Sequence, residues 1–210
     1  MLKIAHRGLS HFYPDNSMEA FNQAINSGFD MIELDIQLCK NNEIIIFHDT
    51  YYLSKLIKDY SLEECQQLNM LSLDDFLSKI NSKTIKIYFD LKGSMDVCEP
   101  LMEKLMQYNV CFENIYISTF NRHHISKLRS YHLPLNIGFT TETGYTKDDL
   151  DYLISNIDFF CVHWTVLNKE LVDYFKNKKI LLFAFTAKEY FILSYMKQFD
   201  LDGIVSNFDF

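Results

Sequence analysis

A (β/α)8 barrel, an α/β fold of compact build, is what this chain of 210 residues predicts, and three observations carry the prediction. Short apolar runs alternate with amphipathic stretches along the whole length. Helical segments between strands imply right-handed crossovers and therefore a parallel sheet. Polar residues recur at the ends of many different strands, whereas an open doubly wound sheet gathers them near one switch point. The length suits one domain over residues 1–210, short for such a barrel, so its loops must be short.

The elements follow in order. Lys3–Ala5 reads as the first strand, and in Ser17–Asn26 the residues Met18, Phe21, Ala24 and Ile25 fall at helical spacing. Met31–Leu38 alternates Glu33, Asp35 and Gln37 against Ile32, Leu34, Ile36 and Leu38. Glu43–Phe47 is a β-rich run after the turn-forming Asn41-Asn42, so two consecutive strands or one bent hairpin are expected there. Leu62–Leu68 and Leu73–Ile80 read as helices, with Ser61 and Ser72 as caps and Glu64 and Asp75 three residues on. Strand Ile85–Leu91 and helix Met95–Tyr108 come next. The alternation then runs through strand Asn114–Thr119, helix Arg122–Tyr131, strand Leu135–Thr140 and helix Lys147–Ser155. Strand Asp158–His163, helix Lys169–Lys176, strand Ile180–Thr186, helix Tyr190–Phe199 and strand Gly203–Val205 complete it.

Apolar residues make up 48% and charged residues 23%, which argues for a globular protein and against disorder. A formal charge of -8 without clustered Lys and Arg excludes a broad nucleic-acid surface, but a small anionic partner fits if a local cation offsets the field. Cys39, Cys65, Cys98, Cys111 and Cys161 are widely spaced, form no CxxC pair and read as reduced core thiols. The start lacks an apolar stretch of signal-peptide length and no run approaches a membrane span. A cytoplasmic protein without stable membrane insertion is expected.

His6-Arg7-Gly8 ends the first strand, and Arg beside a glycine that permits close backbone approach suits an anion site. Glu33 and Asp35 share one face of their strand, an arrangement that calls for a cation between them or for a solvated edge. His48-Asp49 follows the apolar run Ile44–Phe47, and Asp90 and Lys92 repeat the alternating arrangement on the next strand. Taken one at a time, a structural histidine and a strand-end salt bridge explain these as well. Together, His6, Arg7, Glu33, Asp35, His48, Asp90 and Lys92 fall at the C-terminal ends of the first three strand regions, the face on which such barrels carry their sites.

The order His-Arg-Gly, then Pro14-Asp15-Asn16-Ser17-x-Glu19-Ala20-Phe21, then Glu-x-Asp, then His-Asp resembles the N-terminal signature of the glycerophosphodiester phosphodiesterases. Asp90-Leu-Lys-Gly, Ile117-Ser-Thr-Phe-Asn, Val162-His-Trp, Phe183-Ala-Phe-Thr and Asp202-Gly-Ile-Val-Ser-Asn resemble weaker forms of the later blocks, so the likeness spans the chain. The resemblance implies a TIM barrel that hydrolyses glycerophosphodiesters, small phosphodiester substrates, to glycerol 3-phosphate and an alcohol. It also implies one divalent cation, Ca2+ or Mg2+, bound by Glu33, Asp35 and Asp90, with Arg7 and Lys92 holding the phosphate. The chemistry agrees, because a phosphodiester needs its charge neutralised and its leaving alkoxide protonated. His6 and His48 form the expected acid–base pair, in an order the sequence leaves open.

The chain departs from the family pattern where Asp90 replaces Glu, Asp15 replaces Glu, Phe185 replaces Trp and Ser206-Asn207 replaces Thr-Asp; these last three read as changes of shape. Thr50–Tyr60 is shorter than the corresponding loop. Two alternatives stand beside the main reading. One is a lysophospholipase D or sphingomyelinase D type, which needs an apolar rim such as Tyr51, Tyr52, Leu53, Leu56 and Ile57. The other is a non-catalytic binding module keeping the fold. His123-His124 reads as a solvated helix face, and His163-Trp164 as either pocket lining or a packed strand end.

Overall fold

The computed structural model of the protein describes residues 1–93 and 96–210. Strand β1 (Leu2–His6) leads through helix α1 (Met18–Asn26) to β2 (Met31–Leu38). The chain then leaves the barrel for β3 (Ile44–Ile46), the hairpin β4 (Tyr51–Tyr52) and β5 (Lys55–Leu56), α2 (Leu62–Gln67), β6 (Leu71–Ser72) and α3 (Leu73–Leu77). It returns as β7 (Lys86–Leu91), followed by α4 (Cys98–Gln107), β8 (Ile115–Thr119), α5 (Arg122–Arg129), β9 (Asn136–Thr141) and α6 (Lys147–Leu153). The last units are β10 (Phe159–His163), α7 (Lys169–Lys178), β11 (Leu181–Ala187), α8 (Tyr190–Met196) and β12 (Gly203–Ser206). Met95, expected to begin the fourth helix, lies outside the described residues.

Eight parallel strands close in the order β1-β2-β7-β8-β9-β10-β11-β12, with β12 pairing back onto β1. This is the predicted barrel. The run Glu43–Phe47 is not one of its staves: β3 pairs antiparallel with the end of β2, Ile46 opposite Ile36 and Ile44 opposite Leu38. The reason is length, since a parallel return needs a crossover of roughly a dozen residues. Here Asn41 and Asn42, at φ 65° and 60°, reverse the chain at once.

Residue parity sorts each strand into two cores. Ile32, Leu34, Ile36 and their counterparts face the helices, whereas Ile4, Met31, Tyr88, Tyr116, Phe159 and Phe183 fill the barrel. Each of these buried side chains contributes roughly 1.5–3 kcal/mol by leaving water. The Phe159 ring fits because β9 presents Gly138, where a Cβ would come within 2.4 Å of it. The helical ends follow the expected chemistry: Ser61 and Glu64 form a reciprocal capping box, and the Ser72 hydroxyl accepts from the Asp75 N–H at 3.1 Å. Four of the five cysteines are buried as expected; Cys111 is partly exposed.

Candidate functional site

The parity that sends Ile32, Leu34 and Ile36 outward turns Glu33 and Asp35 into the barrel mouth. Strand register then sets their neighbours, pairing His6 with Glu33 and Asp35 with Asp90. One oxygen each of Glu33, Asp35 and Asp90 lies within 4.8 Å of the other two, and all three residues are buried. Apolar flanks in sequence thus bring three like charges together out of water.

The β1–α1 loop supplies the first cation. Arg7 adopts φ 54°, which turns its N–H onto the Glu33 carboxylate at 2.9 Å. Gly8 continues at φ 82° so close to α1 that a Cβ would lie 2.6 Å from the Ala20 backbone, which makes glycine obligatory. The Arg7 guanidinium donates to Asp15 at 3.1 Å. Its Nε lies 2.9 Å from Asp35 but is not aligned for a hydrogen bond, so that contact acts as a charge pair. From the end of β7, Lys92 donates to Asp90 at 2.6 Å and lies 3.5 Å from Asp35.

These cations divide unevenly among the carboxylates. Burial works against the Asp35 anion, yet Lys92, Arg7 and a hydrogen bond from Asn16 outweigh it and hold its pKa below the ordinary range. Glu33 fares differently: burial, then the Asp35 and Asp90 charges, push its pKa well above the usual value. Asp90 is raised by burial against the pull of Lys92. With all three carboxylates ionised the group is one positive charge short of neutrality, and a bound dication would offset it. Its donors are all oxygen, which suits Ca2+ or Mg2+.

The two histidines flank this cluster in different surroundings. His6 is partly buried and its Nδ1 lies 2.7 Å from the Asn207 amide oxygen. Burial, with Arg7 adding to it, lowers the His6 pKa to about 3, so the ring is neutral with Nδ1 protonated toward Asn207 and Nε2 bearing the lone pair. His48 is half-exposed, and its Nδ1 donates to the Asp49 carboxylate at 2.7 Å. All seven predicted residues line one cavity of about 290 Å³, whose lining also includes the apolar Phe120, Trp164, Phe185 and Ile192 and the charged Glu142 and Lys188. His163 lines it as well.

Several participants were not singled out from sequence. Asn16 clamps Asp35 through both its amide atoms, and Ser118 donates to Asp90 at 3.0 Å. Asn207, read as a change of shape, is the partner of His6. His124 corrects the reading of a solvated face. It is buried, its Nδ1 3.0 Å from the Thr119 hydroxyl, because the α5 face that carries Ile125 and Leu128 turns it inward.

A partly buried, neutral His6 makes acid destabilising. The unfolded chain takes up the proton near pH 6.5 and the native ring only near 3, so this contribution is complete above about pH 6.5 and declines as pH falls toward 3. In chelated protein we expect stability to fall by up to several kcal/mol over that window and His6→Gln to flatten the decline, read from denaturant midpoints at stepped pH. Parallel wild-type and variant curves contradict this account.

A buried carboxylate cluster beside two cations at the mouth of a barrel is a setting suited to phosphate-ester chemistry. The chain belongs to the glycerophosphoryl diester phosphodiesterase family, whose model matches residues 6–208, and is thereby a phosphoric diester hydrolase. It is 26% identical to a glycerophosphodiester phosphodiesterase of Caldanaerobacter subterraneus, covering 98% of this chain and 93% of that one. To a glycerophosphodiester phosphodiesterase of Bacillus altitudinis it is 27% identical, covering 99% and 95%. Among solved structures it superposes on an Oleispira antarctica phosphodiesterase in complex with the product sn-glycerol-3-phosphate, with a TM-score of 0.85 at 19% identity over 99% of this chain and 93% of that one. The glycerophosphodiester phosphodiesterase of Thermotoga maritima gives 0.84 at 19% identity, covering 99% and 94%. The two structures establish the shared fold. The family is generally dependent on divalent metal. No helix among the described residues is long and apolar enough to cross a membrane.

Proposed function

We propose that this protein hydrolyses glycerophosphodiesters to glycerol 3-phosphate and an alcohol, with Glu33, Asp35 and Asp90 holding one Ca2+ or Mg2+, Arg7 and Lys92 binding the phosphate, and His6 and His48 moving the protons. The observation that carries this reading is the three-carboxylate cluster within 4.8 Å, set in the same cavity as both cations and both imidazoles. The bound glycerol phosphate product in the Oleispira antarctica phosphodiesterase supports the substrate class.

When bound, the divalent ion supplies positive charge at the phosphoryl oxygens. Arg7 and Lys92 add theirs and orient the diester. His6, neutral and fixed by Asn207, takes the proton of the attacking O–H on Nε2 as the new P–O bond forms. His48, oriented through Nδ1 by the Asp49 carboxylate, gives a proton to the departing alkoxide as the old P–O bond breaks. The protein's arrangement thus gives the base a neutral partner and the acid an anionic one.

The test is chelation. Exhaustive removal of metal is expected to abolish hydrolysis of glycerophosphodiesters, and Ca2+ or Mg2+ to restore it. Full activity in protein free of metal by elemental analysis overturns the metal assignment; absence of activity under every metal condition favours the non-catalytic module.

One observation favours a second reading, a lysophospholipase D type. Tyr51, Tyr52, Leu53 and Leu56 on the hairpin just after His48 are exposed, although Ile57 is buried. On that reading the hairpin meets a lipid surface. Leu53→Ser should then lower turnover of micellar lysophospholipid several-fold while sparing a soluble glycerophosphodiester; equal effects on both discard it.

A further inference from the structure

Outside the cavity, where α4 and α5 begin, three donors of different chemistry converge. The Asp96 carboxylate, the Cys98 thiol and the His124 imidazole each place a ligand atom within 4.8 Å of the other two. We propose that these residues form a second metal site, selective for a borderline ion such as Zn2+ and separate from the oxygen-only cluster of Glu33, Asp35 and Asp90.

Topology explains the convergence. Cys98 opens α4, His124 belongs to the first turn of α5, and these helices, which follow the adjacent strands β7 and β8, pack against each other. Asp96 is fixed over the start of α4 by accepting the Cys98 N–H at 3.0 Å. Cys98 is fully buried and His124 is 7% exposed, whereas Asp96 is exposed and leaves a route in from solvent. Sulfur, nitrogen and oxygen in one group match Zn2+ far better than Ca2+ or Mg2+, and three protein ligands leave a fourth position for water.

A second observation points to a ligand. The His124 Nδ1 is engaged by the Thr119 hydroxyl at 3.0 Å, and among the described residues its Nε2 has no hydrogen-bond partner. A ring oriented through one nitrogen with the other free is the outer-shell arrangement typical of a metal-binding histidine. Lys127 now neutralises Asp96 at 2.8 Å, but Glu99 lies 3.7 Å from the same ammonium. An incoming dication can therefore displace Lys127 without stranding it. As the metal–sulfur bond forms, the Cys98 thiol proton passes to solvent, so affinity rises with pH.

The site borders the cavity without belonging to it. Asp96 lies in the connection that starts at Lys92, and Thr119 ends β8 next to the cavity-lining Phe120. A bound ion ties these two loops together.

Cobalt is the probe, added to the full chain with Ca2+ present in excess to fill the oxygen cluster. We expect one Co2+ per chain with thiolate-to-cobalt charge-transfer absorption in the near ultraviolet. The absorption should vanish in Cys98→Ser, and Thr119→Val should weaken binding about 10- to 100-fold. Lys127→Ala should bind Co2+ more tightly, a gain that a purely structural role for Asp96 does not predict. Absence of the band in wild type overturns the proposal, as does a band that survives Cys98→Ser. Asp96→Ala, an exposed change whose fold is checked by circular dichroism, supplies the last arm: wild-type affinity there overturns the site as drawn, and weakened affinity supports it. None of these readouts depends on phosphodiesterase activity.

Discussion

His6→Ala and His48→Ala should each lower the turnover number at least ~10²-fold, because each imidazole is assigned a proton transfer in the transition state. The double variant should lose much less than the product of the two, since a step without its base gains little from its acid. The different partners of the two rings sharpen the expectation. Asn207 offers the His6 Nδ1 a neutral amide oxygen and leaves Nε2 to accept a proton, while the His48 Nδ1 is held by the Asp49 carboxylate. A substrate whose leaving group is an activated phenolate needs no protonation on departure. On such a substrate His48→Ala should regain most of the lost turnover, and His6→Ala should not. Single-turnover kinetics on matched alkyl and aryl diesters decide it. Near wild-type turnover in either variant makes that histidine structural, and rescue of His6→Ala alone reverses the two roles.

What the sequence disclosed about this site was chemistry with period two. Glu33 and Asp35 among alternating isoleucines and leucines, and Asp90 and Lys92 two apart, announce their shared direction because a strand turns alternate residues to one side. Register across strands left no such trace. That Asp35 meets Asp90 depends on how β2 slides against β7, which the closure of the whole barrel sets. The β2–β3 reversal was open in sequence for a related reason: Ile44–Ile46 is as apolar as a barrel stave, and only the tightness of the Asn41-Asn42 turn excludes a crossover.

The supporting residues were hidden more deeply. Asn16 and Asn207 are 191 positions apart, yet each fixes a charged or titrating group of the cluster. Both stood inside blocks that resemble the family, so their positions were visible and their partners were not. Asn207 occupies a place where the family pattern has Asp. Its contact with His6 makes this a change of charge beside the proposed base, not a change of shape alone. His124 was misjudged because a His-His pair at a helix start reads as polar, while the register of α5 buries only the second of the two.

Asp90→Asn should weaken Ca2+ or Mg2+ binding at least ~10-fold, because it keeps the size of the side chain but removes one of three formal charges from a buried site. The surroundings of Asp90 make this loss hard to compensate. Ser118 donates to one of its oxygens at 3.0 Å and Lys92 to the other at 2.6 Å. An amide nitrogen at either place would face a donor, and Lys92 would lose its closest anion. Asp90→Glu keeps the charge and lengthens the side chain by one methylene, restoring the residue of the family pattern. Two effects then compete. The longer carboxylate reaches farther toward Glu33 and Asp35, but it must abandon the Ser118 contact, whose hydroxyl is itself held by Tyr88 and Thr140. With that network buried and already satisfied, its disruption costs about 1–3 kcal/mol, comparable to what a better-placed ligand returns. Asp90→Glu should therefore bind the ion within about tenfold of wild type, well above Asp90→Asn. Calorimetric titration of all three proteins in one buffer measures the order directly. Unchanged affinity in Asp90→Asn would remove Asp90 from the coordination shell and leave Glu33 and Asp35 to hold the ion with solvent.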